Sequence, residues 1–295
     1  MTLFDIVMPY YGDVPMMQAA VRSVIAQTDE SWRLTVVDDG QAAGVPEWFA
    51  GLGDPRIRYQ RNEANLGVLG NFRKCVSLVE YERTVIMGSD DLMFPNYLAV
   101  IRSVLDEHPT VAMVQPGVQV IDGAGEPGGS LVDTAKKRIY APREPGRLLL
   151  SGEELAVSLL RGDWLYFPSL CWRSDALKEV GFRDGLEIIQ DLALIIDLVQ
   201  RGEALAVDPA VCFQYRRHQH SASSTSAVAG SRFGEAKGYF LEVADRMQAQ
   251  GWPRAAKAAR RHFSTRVHAL TMLPGAVLGG QRESARALLG FTFRN

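Results

Sequence analysis

Three places in this chain put carboxylates where they could do chemistry. The run Val85-Ile86-Met87-Gly88-Ser89-Asp90-Asp91 is a short apolar segment that ends in small residues and then two adjacent acids. A second run, Val36-Val37-Asp38-Asp39-Gly40, ends the same way, and Asp191 stands inside the apolar stretch from Leu186 to Val199. In an open parallel α/β sheet, ligands bind just outside the carboxyl ends of the strands, so a strand ending in Asp-Asp delivers negative charge to that crevice. Two uncompensated carboxylates repel one another, and such a pair holds a hard cation or a sugar hydroxyl. The plainer role for the same residues is a solvated turn that caps the next helix. A charged residue in an apolar helix is costly unless it has a task or a partner; the plainer role for Asp191 is a cap or an ion pair.

The elements that must position these acids follow from hydrophobic period and turn residues. Phe4 to Met8 is a short apolar run ending at Pro9-Tyr10-Tyr11-Gly12, a buried strand and its loop. A helix starts near Pro15, a residue tolerated in a first turn, with Met17, Ala20, Val21, Val24 and Ile25 as its apolar stripe. Arg33 to Val37 is a second strand and Ile57 to Gln60 a third. Asn65 to Asn71 is a glycine-containing turn into a helix that runs to about Val79. The strand before Asp90 follows, then a helix opened by Pro95, then strands at Val111 to Val114 and Val118 to Ile121. This alternation over the first 120 or so residues predicts an α/β fold with a mainly parallel sheet flanked by helices. Residues 122–150 read as one long connection, of the kind that is functional or mobile. Ser151 with Glu154 forms a capping-box pattern for a helix ending near Leu160. Leu186 to Val199 is helical, Val211 to Tyr215 is a last strand, and from about Ser231 the chain is helical, broken at Gly251-Trp252-Pro253 and Pro274-Gly275.

The bulk properties set limits. With 295 residues, 47% hydrophobic, 22% charged and a net charge of −2, the chain has the composition of a soluble globular protein with one large core or two domains. Charge is unevenly spread: residues 230–295 hold 11 Lys+Arg against 4 Asp+Glu, which leaves 21 against 30 in the rest. An acidic body with a basic tail suggests that the tail meets something anionic. Cys75, Cys171 and Cys212 lie in apolar segments without CxxC spacing and read as buried thiols in a reducing compartment. Asp5 interrupts the N-terminal apolar run, so a signal peptide is not expected, and no uncharged stretch reaches membrane-spanning length.

In this order the motifs resemble those of the inverting family 2 glycosyltransferases, whose fold is the GT-A variant of a Rossmann-like sheet. Val7-Met8-Pro9-Tyr10-Tyr11 resembles the family's first-strand motif, and Val36 to Gly40 its nucleotide-binding VDDGS. Asn65-x-Gly67 with Asn71 is similar to its NxG…N turn, and Ser89-Asp90-Asp91 to its DxD-type metal motif. Phe167-Pro168-Ser169 with Glu179-Val180-Gly181-Phe182 resembles the acceptor-side segment. Gln190-Asp191 resembles the ED pair, and Tyr215-Arg216-x-His218-x-x-Ser221-x-Ser223 the YRxHxxSxS ending. The resemblance spans about residues 3–225. Gln41 stands where the family has Ser, and Gln190 where it commonly has Glu. The Gln-x-x-Arg-Trp motif and membrane spans of the processive synthases are absent, so transfer of one or a few sugars is expected.

The resemblance implies a role for each residue. Asp191 is the general base that deprotonates an acceptor hydroxyl, with Glu187 the next candidate. Asp39 accepts the N3–H of uracil or thymine and Tyr11 lies against the base. Pro9, Tyr10, Asp38, Asn65, Gly67 and Asn71 belong to the donor side, and Asp90 sits near the ribose or sugar. Asp91 holds Mg²⁺ or Mn²⁺, with His218 completing the metal shell or touching phosphate, and Arg216 or Arg217 adds positive charge. The partners expected are a nucleotide-sugar donor and a glycan, lipid-linked or small-molecule acceptor, in the cytoplasm, with no nucleic acid. Residues 1–228 are expected to form the transferase domain and 229–295 a C-terminal helical extension. That extension packs on the catalytic domain or a second subunit, or rests on an anionic membrane through Arg254, Lys257, Arg260 and Arg261. Two other functions compete. A sugar-nucleotide pyrophosphorylase would need a basic glycine-rich loop after the first strand, which Met8 to Gly12 lacks; an inactive nucleotide-sugar-binding or scaffold protein is opposed by the intact Asp39, Asp91 and Asp191.

Overall fold

The computed structural model describes residues 2–128, 146–186, 189–217 and 231–262, then 265–267, 269–271 and 273. Its centre is a nine-stranded sheet. The strands are β1 (Phe4–Tyr10), β2 (Trp32–Asp38), β3 (Ile57–Arg61), β4 (Arg83–Ile86), β5 (Leu92–Met93), β6 (Met113–Ile121), β7 (Leu148–Leu150), β8 (Cys171–Arg173) and β9 (Leu205–Arg216). They lie in the order β3-β2-β1-β4-β8-β6-β9-β5, with β7 also on β9. Pairing is parallel through β3-β2-β1-β4 and between β6 and β9. β8 runs antiparallel to both β4 and β6. The carboxyl ends of β1, β2, β4, β6 and β9 therefore share one edge.

Helices cover both faces: α1 (Val14–Ile25), α2 (Val45–Leu52), α3 (Gly67–Ser77), α4 (Tyr97–Glu107), α5 (Gly152–Arg161), α6 (Ser174–Val180), α7 (Gln190–Gln200), α8 (Ser231–Ala249) and α9 (Pro253–Arg261). Because side chains alternate along a strand, Ile6, Met8, Val36 and Val85 join one core cluster with α1, α2 and α4. Val7, Val37 and Ile86 join the other with α3 and α5 to α9. A sheet buried on both faces explains why its strands read as continuous apolar runs.

Several expectations need correction. The two strands expected at Val111 to Val114 and Val118 to Ile121 are one, β6, which starts at Met113 and shifts register between Gln115 and Val118. Pro116 suggests a break, but the irregular pairing with β9 absorbs it. A Cβ on Gly117 would come within 2.5 Å of the Pro209 carbonyl oxygen, so the crossing requires glycine. Helix α2 and the short strands β5 and β7 carry too little periodic sequence to be foreseen. Ser151 occupies the N-cap of α5 but makes no side-chain capping bond. Its expected partner Glu154 faces the tail instead and pairs with the Arg254 guanidinium, while the neighbouring Glu153 Oε1 accepts the backbone N–H groups of Arg254 (2.7 Å) and Ala255 (3.2 Å). Helices α8 and α9 join the hydrophobic cluster through Phe240, Val243, Met247 and four alanines of α9. The basic residues of α9 thus lie opposite a buried alanine face. All three cysteines are buried. No helix among the described residues is long and apolar enough to cross a membrane.

Candidate active site

The alternation along β2 carries on into its acid pair and gives the two carboxylates different tasks. Asp38 is fully buried on the Val36 side, where it accepts bonds from Tyr59 Oη (2.5 Å), Arg61 Nε (2.9 Å) and the Gly40 N–H (2.8 Å). It anchors β3 and the following turn and has no face toward the crevice. The Tyr59 hydroxyl is pushed up by burial and then by its bond to this carboxylate.

Asp39 turns toward α3. Its N–H continues the ladder to the Tyr10 carbonyl (2.8 Å), and its Oδ1 accepts from Asn62 Nδ2 (2.7 Å) and the Leu66 N–H (2.8 Å). Asn65 donates to the Asp39 carbonyl (3.0 Å) while its Oδ1 accepts the Gly67 N–H (3.0 Å). Asn71, 3% exposed, donates to the Val37 carbonyl and accepts from Asn62, and Lys74 Nζ reaches Asn62 Oδ1 (2.6 Å). The amides of Asn65 and Asn71 thus hold Asp39 and its strand end in place, a positioning role that the motif alone does not distinguish from ligand contact. The same holds at β1. Tyr10 is buried with its hydroxyl donating to the Gly12 carbonyl (3.0 Å), Pro9 is half-buried, and Tyr11 is 71% exposed beside Gly40.

The second acid pair meets β9. Asp91 is 1% exposed; its Oδ1 accepts the Arg216 N–H (2.8 Å) and its Oδ2 has no hydrogen-bond partner. A Cβ built on Gly88 would lie 2.4 Å from Asp91 Oδ2 and 3.0 Å from Asp90 Oδ1, so both carboxylates close over a glycine that leaves them room. Burial first and the neighbouring Asp90 second push the Asp91 carboxyl well above the usual carboxylate range. Arg216 is buried and engaged: Nε donates to the Asp90 carbonyl (2.8 Å) and Nη1 to the carbonyls of Asp122 (3.0 Å) and Gly123 (3.2 Å). It ties three segments together at the sheet edge. Arg217 is exposed, its guanidinium 5.9 Å from the Tyr215 ring.

Tyr215, which sequence reasoning places only in a motif, marks where the acids converge. Its hydroxyl is pushed up by burial and then by Asp91, with Asp90 and Asp191 adding in the same sense and Arg217 opposing. Carboxylates from the turn after β4 and from the first turn of α7 therefore act on one phenol, which stacks at a tilt on Tyr166 (5.2 Å). Asp191 is half-buried, its Oδ1 near the Leu192 N–H (2.7 Å). Beside it Gln190 Oε1 is buried without a partner. His218 and Glu187 lie outside the described residues.

Comparison with known proteins agrees with this geometry. Residues 5–147 match the model of Glycosyl transferase family 2. WcaA of Escherichia coli K12, which bears the name of a colanic acid biosynthesis glycosyl transferase, is 27% identical over 219 residues, 73% of each chain. WfgD of Escherichia coli, named a UDP-Glc:alpha-D-GlcNAc-diphosphoundecaprenol beta-1,3-glucosyltransferase, is 28% identical over 96 residues, 32% of this chain and 38% of its own. The structure of S. aureus TarS 1–349 in complex with UDP-GlcNAc superposes with a TM-score of 0.64 at 13% identity, covering 98% of this chain and 91% of that one. Residues 5–147, just under half of the chain, thus resemble family 2 glycosyltransferases, and the chain shares the fold of TarS 1–349.

Proposed function

We propose that this chain is a glycosyltransferase that moves a sugar from a UDP- or dTDP-linked donor to an acceptor hydroxyl with inversion, with Mg²⁺ or Mn²⁺ bound, in cell-surface glycan biosynthesis. The observation that carries the reading is the pairing of a buried, partnerless Asp91 Oδ2 with Asp90 at the strand edge where Asp39 also ends. The residues fit a hard cation: the donors are carboxylate oxygens, and one of them is buried and unsatisfied. No group of three or more His, Cys, Asp or Glu that could hold a metal occurs among the described residues. A cation held jointly by Asp91 and donor phosphates needs none, since such ions take one or two carboxylates plus phosphate oxygens. When bound, it offsets the charge that develops on the departing diphosphate; His218 is a further candidate ligand.

Asp39 has Oδ1 filled by two N–H donors, leaving Oδ2 to accept the N3–H of uracil or thymine, and the exposed Tyr11 lies against the ring. Asp90 reaches the ribose or the sugar, and the exposed Arg217, or Arg216 beside it, adds positive charge for phosphate. Asp191 takes the proton of the acceptor hydroxyl as that oxygen bonds to the anomeric carbon. The bond from that carbon to the phosphate oxygen breaks in the same displacement, and the nucleoside diphosphate leaves with the electron pair. The names of WcaA, WfgD and the TarS complex support the donor class and the glycan setting.

A nucleotide-sugar panel read by thermal shift with and without Mn²⁺ tests the proposal. UDP- or dTDP-sugars should raise the melting temperature only with the ion, followed by release of free nucleoside diphosphate; a response confined to ADP- or GDP-sugars would contradict it. Cytoplasmic placement with the exposed Lys257 and Arg261 against anionic lipid belongs to the same proposal. Vesicle binding that requires anionic lipid and fades with salt would support it, and a homodimer that covers these residues would displace it.

A further inference from the structure

Helix α8, beyond the residues of every catalytic motif, lies alongside the helix that carries Asp191. The two run in the same direction, with contacts in step along both. At the far end Gln200 and Gln250 exchange side-chain bonds, Nε2 to Oε1 at 2.8 Å and Gln250 Nε2 to the Gln200 carbonyl at 2.8 Å. In the middle Asp197 accepts a bidentate bond from Arg183 (2.6 and 2.7 Å) and another from Arg246 (2.6 Å), while Arg183 also reaches Glu242 (2.7 Å). At the near end Glu235 Oε1 accepts the backbone N–H of Ile189 at 3.2 Å. Ile189 is the N-cap residue of α7, two positions before Asp191, and its own side chain offers no cap.

A helix start leaves N–H groups unsatisfied, and a carboxylate there suits both the missing acceptor and the positive end of the helix dipole. We infer that Glu235 is a positioning residue for the transfer step: by holding the Ile189 N–H it fixes the first turn of α7 and with it the orientation of Asp191, which makes the C-terminal helix part of the transferase machinery. The inference rests on Asp191 being the base. Small errors in placing a reacting group cost large factors in rate, whereas the residues assigned to the nucleotide, Asp39, Tyr11 and Asp91, are not held by this turn.

The experiment uses the full chain and whichever UDP-sugar gives the largest thermal shift, with Mn²⁺ and release of UDP as the readout. Glu235→Ala should lower kcat about tenfold or more, with the donor KM and the UDP affinity within about twofold of wild type. Glu235→Gln, whose amide oxygen still accepts, should recover most of the rate. Gln250→Ala, at the other end of the same interface, should keep wild-type kcat even if it melts earlier. Equal losses of kcat in Glu235→Ala and Gln250→Ala would reduce the contact to general docking and overturn the inference, as would unchanged kcat in Glu235→Ala. An active Asp191→Asn in the same assay would instead remove the base assignment itself, so the two failures are separable.

Discussion

Replacing Asp91 by asparagine should stabilise the metal-free protein and abolish its metal-dependent nucleotide binding, two effects of opposite sign from one atom. Asp91 Oδ2 is buried and unpartnered, with Asp90 beside it above Gly88. Two unit charges roughly 5 Å apart at an effective dielectric of about 20 repel by about 3 kcal/mol, and an unsatisfied buried acceptor costs about 1–3 kcal/mol. Asparagine keeps an oxygen for the Arg216 N–H and can turn its Nδ2 toward Asp90. Burial and Asp90 favour the protonated Asp91, which returns part of both terms in the wild type, so the net gain should be about 1–3 kcal/mol. At about 2–4 °C per kcal/mol for a large domain, that is a rise of several degrees in Tm. Thermal melts in EDTA measure the first effect, and calorimetry of UDP with Mn²⁺ the second. An Asp91→Asn protein that melts earlier in EDTA, or that binds UDP with unchanged Mn²⁺ dependence, would refute the argument: the carboxylate would then be a structural anchor.

Other expectations follow from the same geometry. Gly88→Ala places a methyl 2.4 Å from Asp91 Oδ2, and because Oδ1 is pinned to Arg216 the carboxylate cannot swing clear. Mn²⁺-dependent UDP binding should fall by about 10²-fold, and calorimetry indistinguishable from wild type would count against the cation site. Asp191→Asn keeps shape and removes basicity, so kcat should drop by about 10² or more with UDP affinity retained; a rate within a few-fold of wild type would move the base elsewhere. Tyr11→Ala should weaken UDP binding by about 1–3 kcal/mol, the usual worth of base–aromatic stacking, and equal affinity would remove the ring from the donor site. His262 is held below its ordinary value by burial and then by Arg266, with its ring stacked on Phe240. The unfolded chain therefore takes up a proton near pH 6.5 that the fold refuses until lower pH. This stability is present above about pH 7 and is lost as the pH falls. His262→Phe should flatten the decline in Tm between about pH 7 and 5.5, and parallel curves would place the effect elsewhere.

The ends of β2 and β4 were readable because their buried runs lead into acid pairs, and burial on both faces forces continuous apolar sequence. What sequence could not assign was which polar groups face the ligand. Asp38 and Asp39 look alike in a motif, yet the alternation of the strand sends Asp38 to Tyr59 and Arg61 and Asp39 to the start of α3. Asn71 and Arg216 read as ligand contacts and are engaged inside the protein, because a crevice edge needs groups that hold its loops. The period-two pattern could have separated the two aspartates; nothing local could have revealed the Arg216 bonds, which join residues 94 and 126 positions apart. The tail was read from its charges, which share one face of α9 between alanines that pack on the catalytic domain, one of the placements its sequence offered. Glu153 and Glu154 answer Arg254 across about a hundred residues, a pairing invisible to a reading of local caps.

The most direct test of the account is anomalous scattering at the manganese edge from crystals grown with Mn²⁺ and UDP. The account predicts one peak between Asp91 Oδ2 and the diphosphate, with the uracil edge at Asp39 and its face against Tyr11. A peak ligated by other residues, or ordered UDP with no peak at Asp91, would contradict it.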